Sequence, residues 1–247
     1  MQPHSQPYRY PGLGTATHRL VAIVLLAVLL PVPVELAAAG TFESLSEREV
    51  VRGLKDALVV GAGKAVARLG QNNGFLLNEK VRIPLPESLE HVDGTLRRVG
   101  MGRYADDLVT AMNRAAETAV PEARTLLVDA VRKMTIQDAK DILTGGEEEA
   151  TRYFRRQTEA ALSARFLPVV QRATRKVRLA DAYTQFAGKG VRFGLIRAED
   201  ANLDEYVTRK ALDGLYATIA DEERAIRANP LKQSHQILRK VFGSILP

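Results

Sequence analysis

The 247-residue chain contains no cysteine and no tryptophan, and aromatic residues make up only 6% of it. Without a thiol there are no disulfides, thiolate zinc sites, iron–sulfur clusters or cysteine nucleophiles. So few aromatic rings leave little material for base-stacking platforms, and nucleic acid is not expected as a partner. Histidine is scarce as well, at four residues. No Gly-x-Ser-x-Gly elbow occurs, so neither pattern favours a histidine-assisted nucleophile. What the chain does have is 46% hydrophobic and 26% charged positions. That is the composition of a globular protein of one large domain or two small ones.

Only one long apolar run is present. His18 and Arg19 precede Leu20 to Leu30, and Pro31, Pro33 and Ala37-Ala38-Ala39 follow before Gly40. The run is too short to cross a bilayer at ~20 residues, and small residues at the first and third positions before a cut suit signal peptidase. Residues 1–39 are therefore expected to be a secretory signal peptide cut after Ala39, leaving residues 40–247 as a single all-helical domain in the periplasm. The alternative, an uncleaved anchor, is disfavoured by Pro31 and Pro33, which spoil extension to spanning length. Loss of Arg9, Arg19 and Glu35 lowers the net charge by only one from +6. A modest positive charge assists contact with anionic lipid or cell-wall polymer, and it also simply keeps a domain soluble.

The remaining sequence reads as helices. Ser46-Glu47-Arg48-Glu49 is a capping box, and apolar residues from Val50 to Leu69 recur on one face until Gly70 stops the run. A short extended segment containing Pro84 and Pro86 follows over residues 75–86, with Phe75–Leu77 and Val81–Leu85 extended. A second helix runs from Glu87 to about Val99. Residues Arg103 to about Met134 hold one apolar phase, including Tyr104, Leu108 and Met112, through Pro121, which predicts a single helix bent at the proline. Thr135 opens a short helix to about Leu143. A basic helix from Glu147 onward changes phase: Tyr153, Phe154, Ala160, Ala161 and Ala164 lie on one side, and Phe166, Leu167, Val170, Ala173 and Val177 on another. A break at Pro168 or a change of burial partner would reconcile them. Gly188 to Gly194 reads as a loop, Asn202 caps a helix to about Ala228, and a last helix is expected over Ser234 to Phe242. The fold class is all-α, a single bundle of about six to seven helices.

Candidate sites are few. Gly61-Ala62-Gly63-Lys64-Ala65-Val66 resembles a dinucleotide fingerprint but lies inside a capped helix with no strand before it, so its small residues are expected to admit a close helix neighbour. Glu87, Glu90 and His91 have the spacing of half a carboxylate-bridged metal site, but no second Glu-x-x-His helix exists. No metal, cofactor or catalytic residue is singled out. Asn113, Arg114 and Glu117 form a polar cluster that is either a surface ion pair or a partly buried network ordering a cleft. Residues 150–179 carry eight basic side chains against one acid, Glu159. Of these, Arg152, Arg155, Arg156, Arg172, Arg175 and Lys176 are the candidate anion-binding residues, although they swap sides across Pro168.

Ile83-Pro84-Leu85-Pro86, Asn113-Arg114-Ala115-Ala116-Glu117, Val120-Pro121-Glu122-Ala123, Ile142-Leu143-Thr144-Gly145-Gly146, Tyr153-Phe154-Arg155 and Ala211-Leu212-Asp213-Gly214-Leu215 together resemble the bacterial family named domain of unknown function 4197, over about Val50 to Phe242. The resemblance implies an exported helical protein and supplies no site residue. The expected function is a non-enzymatic envelope module contacting an anionic lipid, cell-wall polymer or protein, with peripheral membrane contact. The alternative is a small-ligand binder or enzyme with a cleft beside Asn113, Arg114 and Glu117. Oligomeric state is not legible from the sequence.

Overall fold

The computed structural model describes residues 46–193, 196–197 and 200–228. The expected signal peptide, Gly194 and the helix expected over Ser234–Phe242 lie outside them. All regular structure among the described residues is helical: α1 (Glu47–Leu69), α2 (Glu87–Arg98), α3 (Gly102–Ala119), α4 (Ala123–Lys133), α5 (Ile136–Thr144), α6 (Glu149–Thr174), α7 (Arg178–Arg192) and α8 (Leu203–Ala228). With α3 and α4 counted as two halves of one helix, the architecture is the all-α bundle of six to seven helices that the periodicity predicts. No helix among the described residues is long and apolar enough to cross a membrane.

Local chemistry sets the helix ends. Ser46 Oγ accepts a hydrogen bond from the Glu49 N–H, and Glu49 Oε2 accepts one from the Ser46 N–H at 2.9 Å. Thr135 and Asp138 repeat that reciprocal cap at the start of α5. The chain leaves α1 at Gly70, whose N–H still donates to the Val66 carbonyl. It then passes through turns from Gln71 to Val81 and an irregular stretch to Pro86. Phe75–Leu77 is part of these turns and is not extended, as its sequence suggested. Asn73 takes the left-handed conformation at φ 67°, which asparagine tolerates better than most residues.

Further expectations gain detail or require correction. The helix expected over Arg103–Met134 with a bend at Pro121 passes there through a 3-10 turn at Val120–Glu122, because Pro121 has no N–H to offer the Glu117 carbonyl. Tyr104, expected in its apolar stripe, is exposed. The basic helix does not break at Pro168; α6 continues through it to Thr174, and α7 covers Gly188 and Gly190, where a loop was expected. The buried positions of α6 explain its apparent change of phase. Phe154, Thr158, Leu162, Phe166, Val170 and Thr174 recur every four residues. On a helix of 3.6 residues per turn, such a stripe precesses by roughly 40° at each step. It winds around α6 and lets one helix meet α8, α3 and α4 in turn. Ala160, Ala161 and Ala164 fall off the stripe and are exposed.

These helices enclose one apolar core that includes Leu69, Phe75, Leu108, Met112, Phe154, Phe166 and Leu215. Gly61 of α1 is buried where a Cβ would stand 3.3 Å from Ile226 Cδ1, so the small residue does admit α8 closely. Gly63 meets nothing within 4 Å and plays no such part.

Candidate functional site

The polar cluster on α3 faces inward. Asn113 is fully buried and Glu117 nearly so. The Asn113 side chain accepts from the Ile83 N–H at 2.8 Å and donates to the Ile83 carbonyl at 2.9 Å, treating Ile83 as a neighbouring strand would, and it donates a second bond to the Val109 carbonyl. Glu117 Oε1 accepts from the Phe75 and Leu76 N–H groups at 3.0 and 3.1 Å, and its Oε2 accepts from Arg114 at 2.6 Å. Arg114 also donates to Asn73 Oδ1. Burial pushes the Glu117 carboxyl up, but the Leu76 N–H, the Arg114 guanidinium and the Phe75 N–H outweigh it and hold the group below the usual carboxylate range. The cluster is a buried network, and its polar atoms are spent on fastening the segment between α1 and α2. The three cavities described below are lined by other residues.

The candidate arginines of α6 divide. Arg152 and Arg156 both pair with Glu149, at 2.9 and 3.4 Å. Arg155 turns toward α8, where it pairs with Asp213 at 3.2 Å and with Glu159 of its own helix at 3.1 Å. Its guanidinium lies 4.6 Å from the centre of the Tyr216 ring. Arg172, Arg175 and Lys176 are exposed near the other end of α6. Arg175 lies roughly 30 Å along the axis from Arg155, at 1.5 Å per residue. The six do not form one patch.

What does form is a groove of about 530 Å³ between α6, α8 and the turn before α2. Its basic side chains are Arg152 and Arg155 from α6, Arg224 from α8 and Lys80 from the turn; its acids are Glu148, Asp213 and Asp221. Lys80 Nζ lies 3.2 Å from Asp221 Oδ2, Arg224 lies 2.5 Å from Asp221 Oδ1, and Arg224 also pairs with Glu148. Burial raises the Asp221 carboxyl, and its hydrogen bonds from Lys80 and Arg224 more than reverse that, leaving it below the usual range. Tyr216 forms the buried wall and shares a hydrogen bond with Thr158 at 2.9 Å. Burial pushes its hydroxyl up to about 12, so it stays protonated at neutral pH. Lys80 and Arg224 were absent from the sequence reading. Arg224 was accessible in principle, since it follows Asp213, Ala217, Ala220 and Asp221 at helical spacing. Lys80 carries no such signal.

The groove is held in place by structural chemistry beside it. Glu223, buried on α8, accepts from the Ala150 and Thr151 N–H groups at 3.0 and 2.9 Å and from the Thr151 hydroxyl, so it caps α6 from a different helix. Arg227 pairs with Glu223 at 2.9 Å and donates to the Ile142 carbonyl. Gly214 admits the turn segment: a Cβ there would stand 2.7 Å from Phe75 Cε1 and 3.1 Å from Val81 Cβ.

Two other hollows are less developed. One of about 430 Å³ is lined by Leu85, Glu87, Glu90, Arg197, Asp200, Tyr206, Arg209 and Lys210, and its buried Asp200 is already paired with Arg197 and Arg209. The other, of about 20 Å³, lies between Leu54, Leu58, Ile142 and Ile226 and is no larger than a water. Glu87 pairs with Arg197, at 3.9 Å. No group of three or more His, Asp or Glu side chains among the described residues could hold a metal ion. The 530 Å³ groove can hold charged groups by exchanging its half-exposed ion pairs for ion pairs with a ligand.

No curated protein and no solved structure matches the chain. Residues 44–243 match the family described as "Protein of unknown function (DUF4197)". The motifs that carry this likeness meet in space: Asn113 and Glu117 fasten the segment containing Ile83-Pro84-Leu85-Pro86, and Arg155 pairs with Asp213 beside Gly214. The chain belongs to the DUF4197 family.

Proposed function

We propose that this protein is a non-enzymatic binding module of the cell envelope that holds an anionic group of its partner in the groove between α6 and α8. The observation carrying this reading is the convergence of Lys80, Arg152, Arg155 and Arg224, from three parts of the chain, on one cavity. Their present partners are partly exposed carboxylates, and such pairs are worth only ~0–1 kcal/mol each, so they hold the bases weakly against an incoming carboxylate or phosphate. The leader-like run Leu20–Leu30 supports a location outside the cytoplasm, in the periplasm, where anionic lipid headgroups and cell-wall polymers are the available partners. The exposed Arg172, Arg175 and Lys176 add general attraction at the other end of α6.

A second reading, a carrier of a small ligand, is favoured by the cavity volume, which falls within the ~300–1,000 Å³ usual for ligand sites. It shifts the cleft from Asn113, Arg114 and Glu117 to the groove. Co-sedimentation with phosphatidylglycerol vesicles and with isolated cell-wall polymer tests the proposal. Retention is expected at low salt, with loss at about 0.5 M, where the Debye length shrinks to a few ångströms, and with loss in Arg155→Gln/Arg224→Gln. Retention unchanged by that double substitution overturns it.

A further inference from the structure

We infer that the ligand of the groove is amphoteric: an extended peptide of about four residues with a free ammonium and a free carboxylate. This rests on the reading of the groove as a binding site and adds the chemistry of what fills it. Bases and acids alternate around the cavity. Glu148, Arg224, Asp221 and Lys80 follow one another in a continuous chain of ion pairs, and Arg155 with Asp213 forms a further pair. A ligand carrying only negative charge would part Arg224, Lys80 and Arg155 from their carboxylates and leave Glu148, Asp221 and Asp213 facing the newcomer and one another. A purely cationic ligand would do the converse to the bases. A ligand with both charges gives the base and the acid of a pair it opens a new partner each and strands neither, which is the condition for a site that is both occupied and specific.

The length of the ligand follows from α8. Asp213, Ala217, Ala220, Asp221 and Arg224 line the groove. They span eleven residue steps of helix, roughly 16 Å at 1.5 Å per residue. An extended chain covers that distance in four to five residues, at ~3.3–3.6 Å each. Ala217 and Ala220 keep this side low, and Arg155, stacked on Tyr216, presents its guanidinium edge toward Asp213.

The test is titration of isotope-labelled protein with tetra-alanine bearing free ends, with its N-acetyl form and with its C-terminal amide. Binding is read from amide shifts of residues around Lys80, Arg155 and Asp221. The free-ended peptide is expected to perturb those residues and to bind at least about tenfold more tightly than either blocked form. Asp221→Asn is expected to weaken the free-ended peptide and to strengthen the N-acetyl form, and Arg155→Gln to weaken both. Equal or tighter binding of the N-acetyl peptide overturns the inference while leaving the groove an anion site. Shifts outside the groove, or none with any of the three peptides, also overturn it. In that case vesicle and polymer retention that still depends on Arg155 and Arg224 would leave the broader reading standing.

Discussion

Glu117 does the work of a missing strand. Its carboxylate accepts two backbone N–H groups that the turn at Phe75 and Leu76 cannot pair internally, and it is itself paired with Arg114. Because its folded pKa lies below the ordinary value of 4.5, its contribution to stability is complete above that value and drains away as pH falls through the lower, folded one. Glu117→Gln is expected to be less stable than the natural protein by roughly 2 kcal/mol at pH 7, the scale of a charge-assisted hydrogen bond. Urea melts repeated at decreasing pH should show that gap narrowing below pH 4.5. Two glycines offer a second comparison. Gly214→Ala drives a methyl against the buried Phe75 ring and should cost about 1–3 kcal/mol, whereas Gly63→Ala places one in open space within a helix and should add ~0.5–1 kcal/mol. Chemical denaturation of the two variants beside the natural chain checks both signs.

At the scale of elements, α6 depends on α8 for its first turn. Glu223→Ala leaves the Ala150 and Thr151 N–H groups and Arg227 without their shared acceptor. It should cost roughly 3 kcal/mol, and hydrogen exchange should show the first turn of α6 opening before its middle. The sequence foretold the elements whose ends are written locally: the reciprocal caps at Ser46 and Thr135, and the Asn202 cap, where Asn202 Oδ1 accepts from the Asp204 and Glu205 N–H groups. It misled where the stripe departs from an idealised face. Thr158 and Thr174 are polar letters at buried positions because their hydroxyls bond carbonyls one turn back, and a stripe repeating every four residues looks like a break when it is a spiral. Gly188 and Gly190 suggest a loop by composition, yet both lie within α7. Glu223 was legible in principle, since it shares the phase of Ile219 and Ile226, and an acid on an apolar face implies a partner.

For the whole molecule, what escaped the sequence was juxtaposition. Arg152 and Arg155 were recognisable as basic, but their partners come from Lys80, 72 positions before Arg152, and Arg224, 72 after it. No periodicity reports a meeting over such separations. Arg172, Arg175 and Lys176 were grouped with them by proximity along the chain, and the length of α6 carries them away.

The stretch between α1 and α2 is tethered on both sides of an exposed point. Phe75 and Leu76 are held by Glu117, Ile83 by Asn113, and the carbonyls of Pro84 and Leu85 accept the Tyr206 hydroxyl, while Lys80 between them leaves 71% of its side chain in solvent. Trypsin acting under native conditions should therefore nick the backbone after Lys80 and yield two fragments that remain together, co-eluting on a sizing column and separating only in denaturant. The covalent link at that point is dispensable to the assembled bundle, and the chain could be reopened there with new termini.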